Sequence, residues 1–347
     1  MVETIRRKDW KTIATIVTFL ALLGTAYALR EQIGDTLRNL REVNLWFILL
    51  IVPLAATNHY CQGKVYQGVF RILGDRFRTK PMFRLSLEMN FVNNIFPSAG
   101  VSGFSYLGLR LRKEGIKAGK TTLVQIMRFA LLFISFQLLL GVGLFLLALA
   151  GDVNSFVMLV AGSLATLLFV GTVLAVYIIS SKARINGFFT TLTLAVNRII
   201  HVIRPRHPET IKINSVKTVF TELHDNYRLL RENVNLLRWP LVYATAANIS
   251  EVFAIWSVFL AFGQVVNPGA IILAYAVANF AGIISVLPGG IGIYEALMTG
   301  VFAAAGVPVG LSLPVVLTFR IISMGLQIPP GYFFYQRNLQ AKHPQET

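Results

Sequence analysis

Apolar residues dominate this chain in long blocks, and polar or basic residues gather in the gaps between them. A stretch of about 20 apolar residues is long enough to cross the hydrocarbon core of a bilayer as a helix. Six blocks meet that length and read as full spans: residues 10–29, 45–70, 121–150, 153–180, 239–262 and 311–335. Arg6, Arg7 and Lys8 give the first block the outline of a secretory signal, but the reading adopted is a retained transmembrane helix. Two further apolar stretches are interrupted. Residues 85–109 contain Pro97, Gly100 and Gly103, and residues 271–305 contain Pro288, Gly289, Gly290 and Gly292. Proline removes a backbone donor and glycine loosens the chain, so a helix stops at such a cluster. Apolar residues flank both breaks, which puts them inside the membrane, where irregular backbone survives only against protein or a wet cavity. Both stretches are expected to be re-entrant hairpins that return to the side they entered.

The two interrupted stretches share their landmarks. Asn90-Phe91 precedes Pro97, and Asn279-Phe280 precedes Pro288. Pro97 lies 18 residues before Gly115 and 31 before Arg128, while Pro288 lies 18 before Gly306 and 32 before Arg320. Upstream, His59 stands 38 residues before Pro97 and Glu251 stands 37 before Pro288. Each half therefore reads span, span, hairpin, span. The expected fold is an all-α polytopic membrane protein forming one integral membrane domain over residues 1–347. It is an inverted-topology repeat of six full spans and two broken re-entrant hairpins. The first half covers residues 10–150 and the second 153–336, the latter carrying a basic amphipathic insertion, residues 181–238, on the membrane surface.

Composition agrees: 55% of the 347 residues are hydrophobic and 14% are charged, against about 25% charged in a soluble domain. The formal net charge of +16 could signal nucleic acid, but the basic residues sit between apolar blocks and make no soluble domain, so no nucleic-acid partner is expected. If the N-terminus is cytoplasmic and each hairpin returns, every basic cluster falls on the cytoplasmic side, and Arg30, Arg38 and Arg41 fall outside. The expectation is a multi-pass protein of the cell membrane with both termini cytoplasmic and its basic loops against anionic inner-leaflet lipid. A homo-oligomer is left open. The single cysteine, Cys61, excludes an intrachain disulfide and a cysteine metal cluster. No metal-ligand spacing, phosphate loop or Ser/His/Asp array stands out, so no cofactor, metal or catalytic residue is expected.

Glu251, Glu295, Arg128 and Arg320 are the ionisable residues expected inside the membrane. A charge at the bilayer centre costs roughly 2.5–3.5 kcal/mol on insertion scales, so each needs water or a partner. Arginine presents a fork that fits phosphate, and a carboxylate takes a cation or a proton. The alternative is that Glu–Arg pairs simply join helices. Backbone amides freed at the breaks suit an anion. Asn94, Asn279 and Ser102 stand nearby as substrate-site residues that help satisfy the broken backbone. His59 reads as a buried hydrogen-bonding residue and Glu88 as a solvated one near an interface.

The pattern Asn94-x-x-Pro97-x-x-Gly100, followed by Gly115 and Arg128, resembles the first motif of the lysylphosphatidylglycerol synthase/flippase transmembrane family. Pro288-Gly-Gly-Ile-Gly-Ile-Tyr-Glu295, followed by Gly306 and Arg320, resembles the second, and more closely. Ser98-Ala99-Gly100 departs from the charged residue often found after the family's first proline. The resemblance covers nearly the whole chain and implies an eight-segment domain that handles lipids with charged head groups, lysylphosphatidylglycerol in its best-known members. In those members a soluble aminoacyl-transferase domain follows. This chain stops at Thr347, so synthase activity is not expected. The function expected is translocation of a phospholipid or other lipid with a charged head group between leaflets. The alternatives are an enzyme or accessory of lipid-linked phosphate or glycan metabolism, and a scaffold that docks a partner through residues 181–238.

Overall fold

A computed structural model describes residues 43–96, 101–151, 155–187, 190–191, 213–284 and 288–340, with isolated helical positions between 20 and 34. Most of the predicted span 10–29, Pro97 and Gly100 of the first break, and part of the basic insertion lie outside the described residues. In chain order the helices are α1 (Leu45–Leu49), α2 (Ile51–Ile72), α3 (Thr79–Ile95), α4 (Val101–Arg112), α5 (Ala118–Ala150), α6 (Ser155–Ile179) and α7 (Ile213–Glu232). After a 3₁₀ turn at Val234–Leu237 come α8 (Arg238–Ala261) and α9 (Pro268–Ile284), then a second 3₁₀ turn at Pro288–Gly290, α10 (Ile293–Ala304) and α11 (Val309–Gln340). No strand occurs among the described residues.

Among the described residues, five stretches are long and apolar enough to cross a membrane: α1 with α2, then α5, α6, the Val234–Leu237 turn with α8, and α11. The protein is therefore an all-α, multi-pass membrane protein. Local chemistry sets the ends of several helices. The Asn44 side chain accepts the Trp46 N–H at 3.1 Å and starts α1. Gly151, at φ 75°, ends α5 in the left-handed conformation that suits glycine. The last span runs past its expected limits of 311–335, since α11 extends from Val309 to Gln340 with Pro314, Pro329 and Pro330 inside it. Neighbouring helices can satisfy the carbonyls such prolines release inside a membrane protein.

Close helix approaches fix the bundle. A Cβ on Gly331 of α11 would stand 2.6 Å from the Phe91 side chain and 2.7 Å from the Leu87 carbonyl oxygen of α3. Gly269, at the start of α9, backs directly onto the Gly143 carbonyl of α5. A Cβ on Gly68 of α2 would meet Pro240 of α8 at 2.6 Å, and one on Gly63 would meet the backbone of α3 at 2.9 Å. Small residues allow such contacts, and in lipid it is dispersion across them that holds helices together.

The chain segments gather at two ends. At one, the Lys120 ammonium bonds Asp75 at 2.8 Å and the Leu73 carbonyl at 3.0 Å, and Lys113 bonds the Asn338 carbonyl at 2.6 Å. Glu222 of α7 accepts the Gly119 N–H at 3.1 Å at the start of α5, and Lys182 pairs with Asp225 at 3.0 Å. At the other end the Asn44 N–H meets the Ala261 carbonyl at 3.0 Å, and the Asn267 amide meets the Leu146 carbonyl at 3.3 Å.

Two apolar clusters fill these ends. One takes the Val65–Leu73 part of α2, the start of α5, and α3, α4 and Ala244. The other takes Ile51, Phe136 to Leu147 of α5, Val252 to Ala261 of α8, and α9, α10 and the first part of α11. Between them, at mid-height on α2, α5, α8 and α11, lies a polar layer.

Glu88 corrects one expectation. It is buried, not solvated, because α4 and the end of α11 fold over it: the Tyr106 hydroxyl donates to it at 2.7 Å, the Asn338 amide donates to it, and Arg110 Nε lies 3.4 Å away. His59 is buried as expected, beside the Ser86 hydroxyl at 3.3 Å.

Candidate functional site

The polar layer encloses a cavity of about 240 Å³ lined by α2, α3, α5, α8, α9, α10 and α11. Carboxamides dominate its wall. Asn58 and Gln62 come from α2, Asn90, Asn93 and Asn94 from α3, Asn248 from α8, Asn279 from α9 and Gln327 from α11. Six aromatic rings fill the intervals, among them Phe129 and Phe133 of α5, Tyr275 of α9 and Tyr294 of α10. Three ionisable groups reach the wall: Arg128 of α5, Glu251 of α8 and Arg320 of α11.

The two arginines differ. Arg320 is held by the second break: its Nε donates to Glu295 at 3.0 Å, its Nη2 donates to the Gly289 carbonyl at 2.6 Å, and its guanidinium lies 4.3 Å from the centre of the Tyr294 ring. Glu295 is buried, and its other oxygen accepts the Gly292 N–H at 2.7 Å, capping α10 from within its own first turn. Glycine is needed there, since Gly289, Gly290 and Gly292 have φ of 59°, 67° and 85°. The Gly292 amide, expected to be open to an anion, is thus occupied by the chain's own carboxylate. Glu295 does not line the cavity and acts on it through Arg320.

Arg128 is free by comparison. Its Nη2 donates to Gln62 at 2.5 Å and its plane lies 5.5 Å and 5.6 Å from the Tyr66 and Phe129 rings, but its buried Nε has no hydrogen-bond partner. Among the described residues it has no ion-pair partner, and Glu251 likewise lies in the field of Arg320 without pairing with it. Among the described residues the cavity therefore offers one cation and one carboxylate that form no ion pair.

Hydrogen-bonded amides brace the wall. Arg128, Gln62 and Asn58 form a chain that ends on the Ala247 carbonyl of α8 at 2.9 Å. Asn94 donates to Asn90, which donates to Gln327 of α11 at 2.7 Å. Asn248 reaches Ser135 of α5 at 2.9 Å.

Of the sequence-derived candidates, Arg128, Glu251, Asn94, Asn279 and Arg320 come together here. Asn94 and Asn279 also bond their own helices, at the Asn90 and Tyr275 carbonyls. The Ser102 hydroxyl reaches back across the first break to the Val92 carbonyl at 3.5 Å and does not line the cavity. Gly103 packs against Asn93. Pro288, Gly289 and Gly290 form the second 3₁₀ turn, with Gly289 close to Asn94. The candidates had not included Asn58, Gln62, Asn90, Asn93, Asn248 or Gln327. Their signal is amides at helical spacing, 58/62 and 90/93/94, inside otherwise apolar segments.

Relatives of this chain include a UPF0104 membrane protein of Methanocaldococcus jannaschii, 25% identical over 92% of this chain and 93% of its own length. A UPF0104 membrane protein of Methanothermobacter thermautotrophicus is 28% identical over 76% of this chain and 75% of its own. The profile described as the lysylphosphatidylglycerol synthase TM region matches residues 12–331. By that match, which covers most of the chain and both breaks, the chain belongs to the lysylphosphatidylglycerol synthase transmembrane-region family.

Proposed function

We propose that this protein moves a phospholipid, or another lipid with a charged head group, between the leaflets of the cell membrane, the head group crossing through the mid-depth cavity while the tails stay in lipid. The observation that carries this reading is a polar cavity halfway along the spans, between two apolar clusters, holding an arginine without a carboxylate partner. Polar groups are kept at that depth where they form a pathway. The family name points the same way, since a lysylphosphatidylglycerol synthase region handles a charged phospholipid. Arg128 receives the phosphate, Glu251 faces the rest of the head group, and Arg320, positioned by Glu295, supplies a second cationic face.

The inverted repeat belongs to this reading. At 1.5 Å per residue the 17-residue α3 and α9 are about 26 Å long and the 12-residue α4 and α10 about 18 Å, short of a hydrocarbon core of about 30 Å. The Lys120–Asp75 pair ties the end of the α3–α4 unit to its beginning, as a hairpin requires. Matched residues of the two halves, Asn58 with Asn248, Asn90 with Asn279 and Arg128 with Arg320, line one cavity. The basic segments that meet at one end form the cytoplasmic face, against anionic lipid. The protein acts as a carrier and not as an enzyme.

The test is transbilayer movement of head-group-labelled phospholipids in vesicles containing the purified full chain. Movement faster than in protein-free vesicles is expected, and equal rates would contradict the reading.

A further inference from the structure

We infer that the cavity selects a phosphate ester of a polyol: a head group with one phosphate and several free hydroxyls. This rests on the reading of the cavity as a lipid head-group site and names its substrate class. The argument is the inventory of the wall. Eight carboxamides line it, against one cation, Arg128, and one carboxylate, Glu251, that form no ion pair among the described residues. A carboxamide carries two donors and two acceptor lone pairs, and a hydroxyl both donates and accepts, so the two match without any charge. A site for several phosphates would be lined with arginine and lysine. A quaternary amine could sit among the rings, but it carries neither donors nor acceptors and would leave the eight carboxamides unsatisfied. Here the charged groups are few and the neutral two-way hydrogen-bonding groups are many.

Placement supports the same choice. Arg128 sits on one wall with its Nε unpartnered, suited to one phosphate diester charge. Glu251, on α8, accepts hydroxyl hydrogens, so no amine is needed to satisfy it. Phe133 and Tyr275 present flat apolar surfaces to the carbon skeleton. The amides are braced across helices, as Asn90 is by Gln327 and Asn248 by Ser135, so they are oriented before a ligand arrives. A volume of about 240 Å³ takes a head group and leaves the acyl chains outside.

The experiment is a titration of the purified full chain in detergent with dioctanoyl lipids of one phosphate each: phosphatidylinositol, phosphatidylmethanol, which has the same charge and no hydroxyl, and phosphatidylethanolamine. Phosphatidylinositol is expected to bind at least roughly tenfold tighter than either, since a site built for hydroxyls is left with unpaired polar groups when they are missing. Asn279→Leu should shrink that ratio, while Arg128→Ala weakens all three lipids together. If Asn279→Leu does not fold, Asn93→Leu gives the same readout. Inositol 1-phosphate as competitor separates the sources: displacement means the free ester is itself a ligand, and no displacement means the lipid is required. Phosphatidylmethanol or phosphatidylethanolamine binding as tightly as phosphatidylinositol would overturn the inference and leave translocation standing. A preference for phosphatidylinositol without transbilayer movement of any lipid would uphold the inference and overturn translocation.

Discussion

At the scale of single residues, the four intramembrane charges divide into a structural pair and a free pair. Glu295 is buried against Arg320 and also caps α10, so removing it leaves a largely buried guanidinium without its carboxylate. Breaking such a pair costs about 3–5 kcal/mol. Glu295→Ala should therefore lower the detergent unfolding temperature markedly, and Glu295→Ala with Arg320→Met should recover much of the loss. Arg128→Met should behave differently: with one hydrogen bond to lose, to Gln62, it should change stability by about 1 kcal/mol or less. All four charges were legible in the sequence because an ionisable residue in an apolar block stands out. Their pairing was not. Glu295 and Arg320 are 25 residues apart on different helices, and nothing in the chain says that Arg320 meets Glu295 and not Glu251. The amides were harder still, since a single asparagine in an apolar helix can bond its own backbone, as Asn279 does with the Tyr275 carbonyl.

At the scale of elements, the two breaks were readable because proline and glycine act locally, and the second resolves into a 3₁₀ turn with two glycines at positive φ and a third, Gly292, at the start of α10. Helix ends followed less well. The 3.6-residue pattern is faint when a helix is apolar on most faces, and nothing in it marks Val309 or Gln340 as the ends of α11, which runs through three prolines. Which helices touch is set by glycines that the sequence does not distinguish from any others. Gly331 admits α3 against α11, and Gly269 admits α9 against α5. Gly331→Ala should cost about 1–3 kcal/mol, because the new methyl meets backbone and a Cβ that cannot move aside. Gly162→Ala, with nothing within 4 Å of the new atom, should leave the unfolding temperature unchanged.

At the scale of the whole molecule, the repeat makes a claim about sides. If α3 and α4 form a hairpin, Asp75 and Glu114 lie on the same side of the membrane, and Val265, 81% exposed between α8 and α9, lies on the other. Cys61 is buried and is the single native cysteine, so introduced thiols can be read against a quiet background. In sealed, oriented vesicles an impermeant thiol reagent should label Asp75→Cys and Glu114→Cys together and Val265→Cys from the opposite face. Labelling of Asp75→Cys and Glu114→Cys from opposite faces would make the first broken stretch a true crossing.

The central claim is that a lipid head group passes through the mid-depth cavity by way of Arg128. It is tested most directly by the initial rate of transbilayer phospholipid movement in vesicles holding wild type or Arg128→Met at equal density, both confirmed folded by their unfolding temperatures. The account predicts that wild type moves lipid and that Arg128→Met slows it at least about tenfold, the loss of one charge-assisted contact to phosphate. Equal rates for the two folded proteins would contradict it.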